Sequence, residues 1–310
     1  MISAHEKYGE HIPVLLEGAL DLLITRSSGI YVDCTAGGGG HIQAVLDRLS
    51  ESGRVIGIDR DADAIAYCQA RFENEPRVSL LHGAFAEMDV LLDEAGIESV
   101  DGILFDLGLS SHQIDTAERG FSYLDEGPLD MRMDRRKKLT AKDVICDYTE
   151  KDLADLFFLY GEERYARAIA RKLVEARKKQ PFETTQDLAA FIRGCTPQQF
   201  QVKTLSRIFQ ALRIEVNGEM DQLTDGFQRG YTVLKSGGRM VVISYHSLED
   251  RLTKRFFKGE PLDFNKREWV SVKSDYHFKI LTRHIVLPDE DEIQMNSRAR
   301  SAKMRAAEKK

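Results

Sequence analysis

Long apolar runs are missing from this sequence. No stretch approaches the roughly 18 uninterrupted apolar residues of a membrane-spanning helix. Met1 to Glu10 lacks a basic segment followed by an apolar one, so neither an anchor nor a secretory leader is expected, and the expected compartment is the cytoplasm. Cysteine is scarce as well: Cys34, Cys68, Cys146 and Cys195 are scattered and form no C-x-x-C pair. That excludes a zinc cluster and a disulfide framework, and no metal site is expected. Positive charge is in deficit, with 44 Lys and Arg against 50 Asp and Glu and a net charge of -6. A general basic footprint for nucleic acid is therefore absent, and any such binding must rest on local patches. What is present is ordinary globular material. At 310 residues, 42% hydrophobic and 30% charged, the chain can bury a substantial core without staples and divides into one or two compact units.

From Ile30 to Asp106, short β-branched runs alternate with helical stretches, the pattern of βαβ units around a parallel sheet. Strands are predicted at Ile30 to Asp33, Arg54 to Asp59, Val78 to Leu81 and Gly102 to Asp106. Three of them end in aspartate. In an open parallel sheet the ligand crevice lies beyond the carboxyl ends of the strands, so Asp33, Asp59 and Asp106 are expected to converge there. Asp61 is placed to cap a helix that runs to Arg71. After Asp106 the strand rhythm stops. Residues 114–207 read as an inserted, mostly helical unit, with helices over Thr149 to Tyr160, Glu162 to Lys179 and Thr185 to Arg193, and Thr149 and Thr185 as N-caps. A long helix from Leu205 to Leu234 then leads past Ser236-Gly237-Gly238 into a strand at Arg239 to Ser244. Leu248 to Phe257 is helical and Glu260 to Asp275 is ambiguous. Phe278 to Leu281 and His284 to Leu287 are candidate strands near the sheet edge. The expected division is thus 1–113, 114–207 and 208–310, the outer two segments forming one unit.

The turn after the first strand, Asp33-Cys34-Thr35-Ala36-Gly37-Gly38-Gly39-Gly40-His41, lets backbone approach a ligand closely and opens a helix N-terminus to it. A phosphate-binding P-loop fails here, because no Lys-Ser or Lys-Thr follows Gly40. The dinucleotide fingerprint fails too, since Ile42 and Gln43 stand where its third glycine is required. An acid at the strand end with Gly37 and Gly39 four and six positions on resembles the S-adenosylmethionine loop of Rossmann-like methyltransferases. Asp59, at the end of the second strand, lies where an acid accepts both hydroxyls of a ribose. For Asp33 the alternative is a bond within the tight turn. Phe85 could line an adenine pocket or belong to the core.

Beyond the turn, the sequence closely resembles the bacterial small-subunit (16S) ribosomal RNA cytosine-N4 methyltransferases. The likeness runs from His11-Ile12-Pro13-Val14-Leu15-Leu16 to Asn296-Ser297-Arg298-Ala299-Arg300-Ser301, nearly the whole chain. It rests on the ordered blocks Asp106-Leu107-Gly108-Leu109-Ser110-Ser111, Glu118-Arg119-Gly120-Phe121-Ser122, Asp130-Met131-Arg132-Met133-Asp134, Phe209-Gln210-Ala211-Leu212-Arg213 and Ser244-Tyr245-His246-Ser247-Leu248-Glu249-Asp250-Arg251. The resemblance implies a Rossmann-like class I methyltransferase sheet with an inserted, mostly helical substrate domain. It also implies S-adenosyl-L-methionine as cofactor, held by Gly39, Gly40, His41, Asp59, Phe85, Asp106 and Gln113, and a cytidine of the decoding centre (P site) of 16S ribosomal RNA as substrate. The sequence departs from the family at Ala36 and Gly38, often Phe and Arg there, and at Lys203-Thr204, often His-Pro.

Methyl transfer from a sulfonium is an in-line displacement, so the protein's task is chiefly positioning. An exocyclic cytosine amine needs a hydrogen-bond acceptor at its N–H, for which Asp106 is the candidate. No cysteine lies in the turn Asp106-Leu107-Gly108-Leu109, and Cys34 and Cys68 fall on the first strand and an early helix, so a covalent cytosine-C5 mechanism has no obvious nucleophile. Tyr245 and His246 follow the fifth strand into the same crevice. Tyr245 is a candidate to stack on an extruded base, and His246 is either catalytic or a structural cap. Arg132, with Arg135, Arg136, Lys137 and Lys138, and the tail with Arg298 and Arg300 are candidate phosphate contacts. Arg132 lies between two acids, and a structural ion pair is its alternative. The expected partner is 16S ribosomal RNA within the small subunit, with no membrane partner, and a homodimer is left open. The rival reading is a non-catalytic RNA-binding or ribosome-assembly factor with a vestigial cofactor pocket.

Overall fold

The computed structural model describes residues 13–262 and 276–310. His11 and Ile12, and most of the ambiguous stretch after Glu260, lie outside the described residues. The chain forms two compact units, one of Met1–Gly108 with Met220–Lys310 and one of Leu109–Glu219. The second unit extends beyond 114–207 at both ends. Among the described residues no helix is long and apolar enough to cross a membrane.

The first unit is built on seven strands: β1 (Ile30–Asp33), β2 (Arg54–Asp59), β3 (Val78–His82), β4 (Val100–Asp106), β5 (Leu234–Ser244), β6 (Phe278–Ile280) and β7 (Lys303–Lys309). They lie in the order β3-β2-β1-β4-β5-β7-β6. The first five are parallel neighbours, and β7 runs antiparallel to β5 and β6. Burial on both faces explains the near-continuous apolar strands. Alternate residues serve opposite layers. Val32, Ile103, Phe105, Met240 and Val242 face one core, and Tyr31, Leu104, Val241 and Ile243 face the other. The chain winds outward from β1 to β3, then restarts at β4 on the other side. The order therefore reverses between β1 and β4, the place where open sheets of this kind take ligands.

Four expectations are corrected in this unit or at its edge. The single helix from Leu205 to Leu234 is two helices, Gln201–Asn217 and Glu219–Val233. Gly218 divides them at φ 59°, a left-handed cap whose N–H reaches back to Glu215 and Ile214. The strand after it starts at Leu234, because Ser236-Gly237-Gly238 is absorbed in a register shift between Val100 and Gly102 instead of ending a helix. The basic tail is largely sheet. In β7, Met304, Ala306 and Ala307 are buried, so an apolar pattern underlies the charge run. Arg305 is ion-paired with Asp250 at 2.6 Å, and Lys309 Nζ donates to the carbonyls of Tyr231 and Leu234. Of His284 to Leu287, Val286 alone pairs, as a bridge to Met304.

In the second unit, helices Ala141–Asp147, Glu150–Leu159, Ala166–Arg177, Thr185–Cys195 and Gln201–Asn217 bury Leu153, Phe157, Ile169, Leu173, Leu188, Ile208 and Leu212 in one core. Thr140 and Thr149 cap their helices as N-cap threonines should. The cap of Thr185–Cys195 is Thr184, not Thr185. Thr184 and Asp187 exchange side-chain-to-backbone bonds in a capping box. Thr185 is buried, and its hydroxyl donates to the Asp125 carbonyl at 2.7 Å.

Candidate functional site

At the carboxyl ends of β1, β2 and β4 the acids are tied to the glycine turn by short bonds. Asp59 Oδ2 accepts from Gly37 N at 2.9 Å, and its Oδ1 accepts from Asp61 N at 2.9 Å. Asp61 in turn caps the helix Ala62–Arg71 through Asp63 N. Asp61 is thus the helix cap, as the spacing suggests. Gly39 ends the turn at φ 75° and opens the helix Gly40–Arg48, whose first turn has no side-chain cap. A side chain at position 39 would be strained in this backbone. Its Cβ would also stand 2.7 Å from the Phe72 ring. Uncapped N–H groups at a helix start offer donors to a negatively polarised ligand group.

Thr35 joins the two central strands. Its hydroxyl accepts from Asp106 N at 2.9 Å and donates to Asp33 Oδ1 at 3.2 Å. Thr35 was not singled out in the sequence, although the Asp-x-Thr spacing at a strand end is a signal for such a turn. Asp106 Oδ1 accepts from the Tyr245 hydroxyl at 2.8 Å, and His41 Nδ1 lies 3.7 Å from Asp106 Oδ2. Tyr245 is held from behind, since its N–H donates to Glu249 Oε2 at 2.8 Å. The phenol thereby has a bonded partner that the stacking role did not foresee. His246 is the N-cap of helix Ser247–Phe257 in a capping box with Glu249, and its Nε2 lies 3.1 Å from Glu249 Oε1. The geometry assigns it the cap. Phe85 is half-buried and meets Phe105 edge-to-face at 5.4 Å.

Burial dominates the electrostatics of these acids. It pushes Asp33 up to about 7 against the pull of its Thr35 bonds. It pushes Asp106 up to about 7 as well, opposed by the Tyr245 hydrogen bond and reinforced by the charge of Asp33. Asp59 is raised in the same way, with the backbone bonds from Asp61 and Gly37 working against the shift. Neither Asp33 nor Asp106 has a Lys or Arg partner among the described residues, and no donor reaches Asp33 Oδ2. Buried acids without a cation fit a ligand that brings positive charge. The thiols do not compete as nucleophiles. Burial drives Cys68 up to about 12 and Cys34 well above the ordinary thiol range.

The remaining candidates belong to other elements of the chain. Gln113 belongs to the second unit, where its Oε1 accepts from Ser110 N in the capping box of Ser111–Asp115. Arg132, in the same unit, is paired with Asp130 at 2.7 Å and also donates to the carbonyls of Arg135 and Lys137. It is the structural ion pair that its flanking acids suggested. Arg298 and Arg300 are exposed on the short helical turn Ser297–Ser301.

This strand order, with acids at the ends of β1, β2 and β4 above a glycine turn, defines a Rossmann-like methyltransferase. The sequence model of the MraW methylase family matches residues 8–310, and the chain belongs to that family. It is 46% identical over 304 residues to the ribosomal RNA small subunit methyltransferase H of Caldicellulosiruptor bescii, covering 97% of this chain and 99% of that one. The protein of the same description from Chloroherpeton thalassium is 48% identical over 323 residues, covering 96% and 98%.

Proposed function

We propose that this chain methylates the exocyclic N4 amine of a cytidine in the decoding centre of 16S ribosomal RNA, with S-adenosylmethionine as methyl donor. Relatives that span almost its whole length are described as acting on small-subunit ribosomal RNA. Within the chain, the observation that carries the reading is Asp106: a half-buried carboxyl at the switch point, fixed by the Tyr245 hydroxyl, with the His41 ring beside it and no Lys or Arg partner among the described residues.

The cofactor, when bound, supplies an electrophilic methyl carried on a sulfonium. In this reading Asp59 accepts the ribose hydroxyls, Gly39 and Gly40 give close backbone approach, and Phe85 faces the adenine. His41 closes the end of the turn beside Asp106. Asp33 and Asp106 offer the negative environment that a sulfonium needs. Asp106 then acts on the amine. As a carboxylate it accepts a hydrogen bond from the N4–H, which draws the lone pair out of the ring. After transfer it takes the amine proton, and burial favours the neutral acid that results. Tyr245 fixes the carboxyl while this happens. Arg298 and Arg300, both exposed, are the candidate phosphate contacts.

The test is to incubate the purified chain with S-adenosylmethionine and small ribosomal subunits from a strain lacking this enzyme, then analyse the nucleosides by mass spectrometry. N4-methylcytidine is the expected product. Its absence, with cofactor binding intact, overturns the substrate.

A further inference from the structure

Many of the described arginines already hold a carboxylate. Arg48 pairs with Glu17 and Asp21, Arg136 with Asp134, Arg213 with Glu219 and Arg305 with Asp250. The helix Ala166–Arg177 of the second unit is different. Its apolar face, Ala166, Ile169, Ala170 and Leu173, is buried. Arg167, Arg171, Lys172, Lys178 and Lys179 are exposed on or just after the other face, and Arg164 is exposed just before it. Among the described residues none of these cations has an ion-pair partner. Glu175 is the one acid on that helix face. Glu163, the acid nearest Arg164 in the connecting turn, is buried and faces Arg207 at 3.5 Å, so it does not neutralise the patch. Arg167, Arg171 and Lys178 recur at helical spacing and form one stripe.

Two large rings are exposed where this helix begins. Tyr165, its N-cap, and Phe158, near the end of the preceding helix Glu150–Leu159, are each 58% exposed. Rings left in water beside unpaired cations are the combination that holds a nucleic acid strand, by stacking on bases and contact with phosphates. In a chain of net charge -6, such a patch is where an RNA backbone meets least repulsion.

We infer that the exposed face of helix Ala166–Arg177, with Tyr165 and Phe158 at its start, is an RNA-docking surface of the second unit. The inference rests on the ribosomal RNA reading above. Phosphates lie along the stripe of Arg167, Arg171 and Lys178, and an unpaired base stacks on Tyr165.

The experiment measures binding of the full chain to a fluorescein-labelled single-stranded 16S ribosomal RNA fragment and to intact small subunits over a series of KCl concentrations. The triple variant Arg167→Ala, Arg171→Ala, Lys178→Ala should weaken binding by about tenfold or more at low salt and flatten the logarithmic salt dependence by about 2. Tyr165→Ala should weaken it about five- to a hundredfold and leave the salt dependence unchanged. Calorimetry with S-adenosylhomocysteine should give wild-type affinity for both variants, which excludes misfolding as the cause. Unchanged affinity and salt dependence in the triple variant overturn the inference. So does loss of binding to subunits with full binding to the free RNA, which would make the partner a ribosomal protein. If the wild-type chain itself forms no N4-methylcytidine, the ribosomal RNA reading fails. If it does and the variants match it in both binding and KM, this surface alone is refuted.

Discussion

At the carboxyl end of β1, Asp33 is buried with no Lys or Arg partner among the described residues, and one of its oxygens receives no hydrogen bond from them; at the end of β4, the half-buried Asp106 likewise has no Lys or Arg partner there and meets the Tyr245 hydroxyl and the His41 ring. In the inserted helical unit, two large buried polar side chains are tied to backbone instead. Asn217 accepts from Met133 N and donates to the carbonyls of Met131 and Arg213, while Arg119 donates to the carbonyls of Arg132 and Met133. Those bonds lock one loop against the end of a helix. Uncompensated buried acids destabilise a fold, and they persist where a ligand completes them. Satisfied buried groups specify a shape. The contrast separates the region arranged for chemistry from the region arranged to hold its own form.

The largest expected effect tests the chemical side. Asp106→Ala should lower the single-turnover methylation rate by about 10²–10⁴-fold, as loss of a positioned proton acceptor does. Because the carboxylate is the accepting form, the wild-type rate should rise with pH through about 7, the value to which burial pushes this group. A rate that stays flat from pH 5 to pH 9 would remove Asp106 from the proton's path.

Asp33→Asn should sharpen the contrast from the stability side. The folded-state pKa of Asp33 is raised from 3.8 to about 7. The favourable contribution of its neutral form is thus present below about pH 4 and is lost as pH rises through about 7. The asparagine variant, which never ionises, should therefore be more stable than wild type at pH 8, by on the order of 3 kcal/mol, and show no gain at pH 4. Urea unfolding at the two pH values measures this, and an equal effect at both would break the account of burial.

Gly39→Ala forces a side chain into a backbone at φ 75° and toward the Phe72 ring. A strain of about 1–2 kcal/mol should appear as weaker S-adenosylhomocysteine binding in calorimetry. The smallest effect belongs to the helical unit. Thr184→Ala should cost about 1 kcal/mol in urea unfolding, the usual value of an N-cap. No loss there would return the cap to Thr185.

Much of the sheet was legible because its signals are local. The strands from Ile30 to Asp33 and Arg54 to Asp59 match residue for residue, since apolar β-branched runs ending in an acid have few alternative meanings. The Asp61 cap and the Thr149 cap were read from the residue types that stand before apolar periodicity. The failures share a cause as well. The break at Gly218 falls inside the single helix expected from Leu205 to Leu234, because nothing local reveals a positive φ. Lys303 to Lys309 looked like a basic arm because charge is conspicuous in sequence, while the alternation of Met304 and Ala306 beneath it gains meaning only beside β5. The unpaired cations of Arg167 and Arg171 were passed over for Arg132, since a carboxylate partner cannot be read from a helix face.

By itself, the sequence determined the parallel sheet, the place of the acids at its strand ends, the glycine turn and the family, because these depend on residues close together in the chain or on whole ordered blocks. The tertiary structure decided which groups meet. Tyr245 and Asp106 are separated by 139 residues, and only the pairing of β4 with β5 brings the hydroxyl within a hydrogen bond of the carboxyl. It also decided charge, since burial turns Asp33 and Asp106 from ordinary acids into groups that titrate near neutrality, and burial is a property of the packed chain.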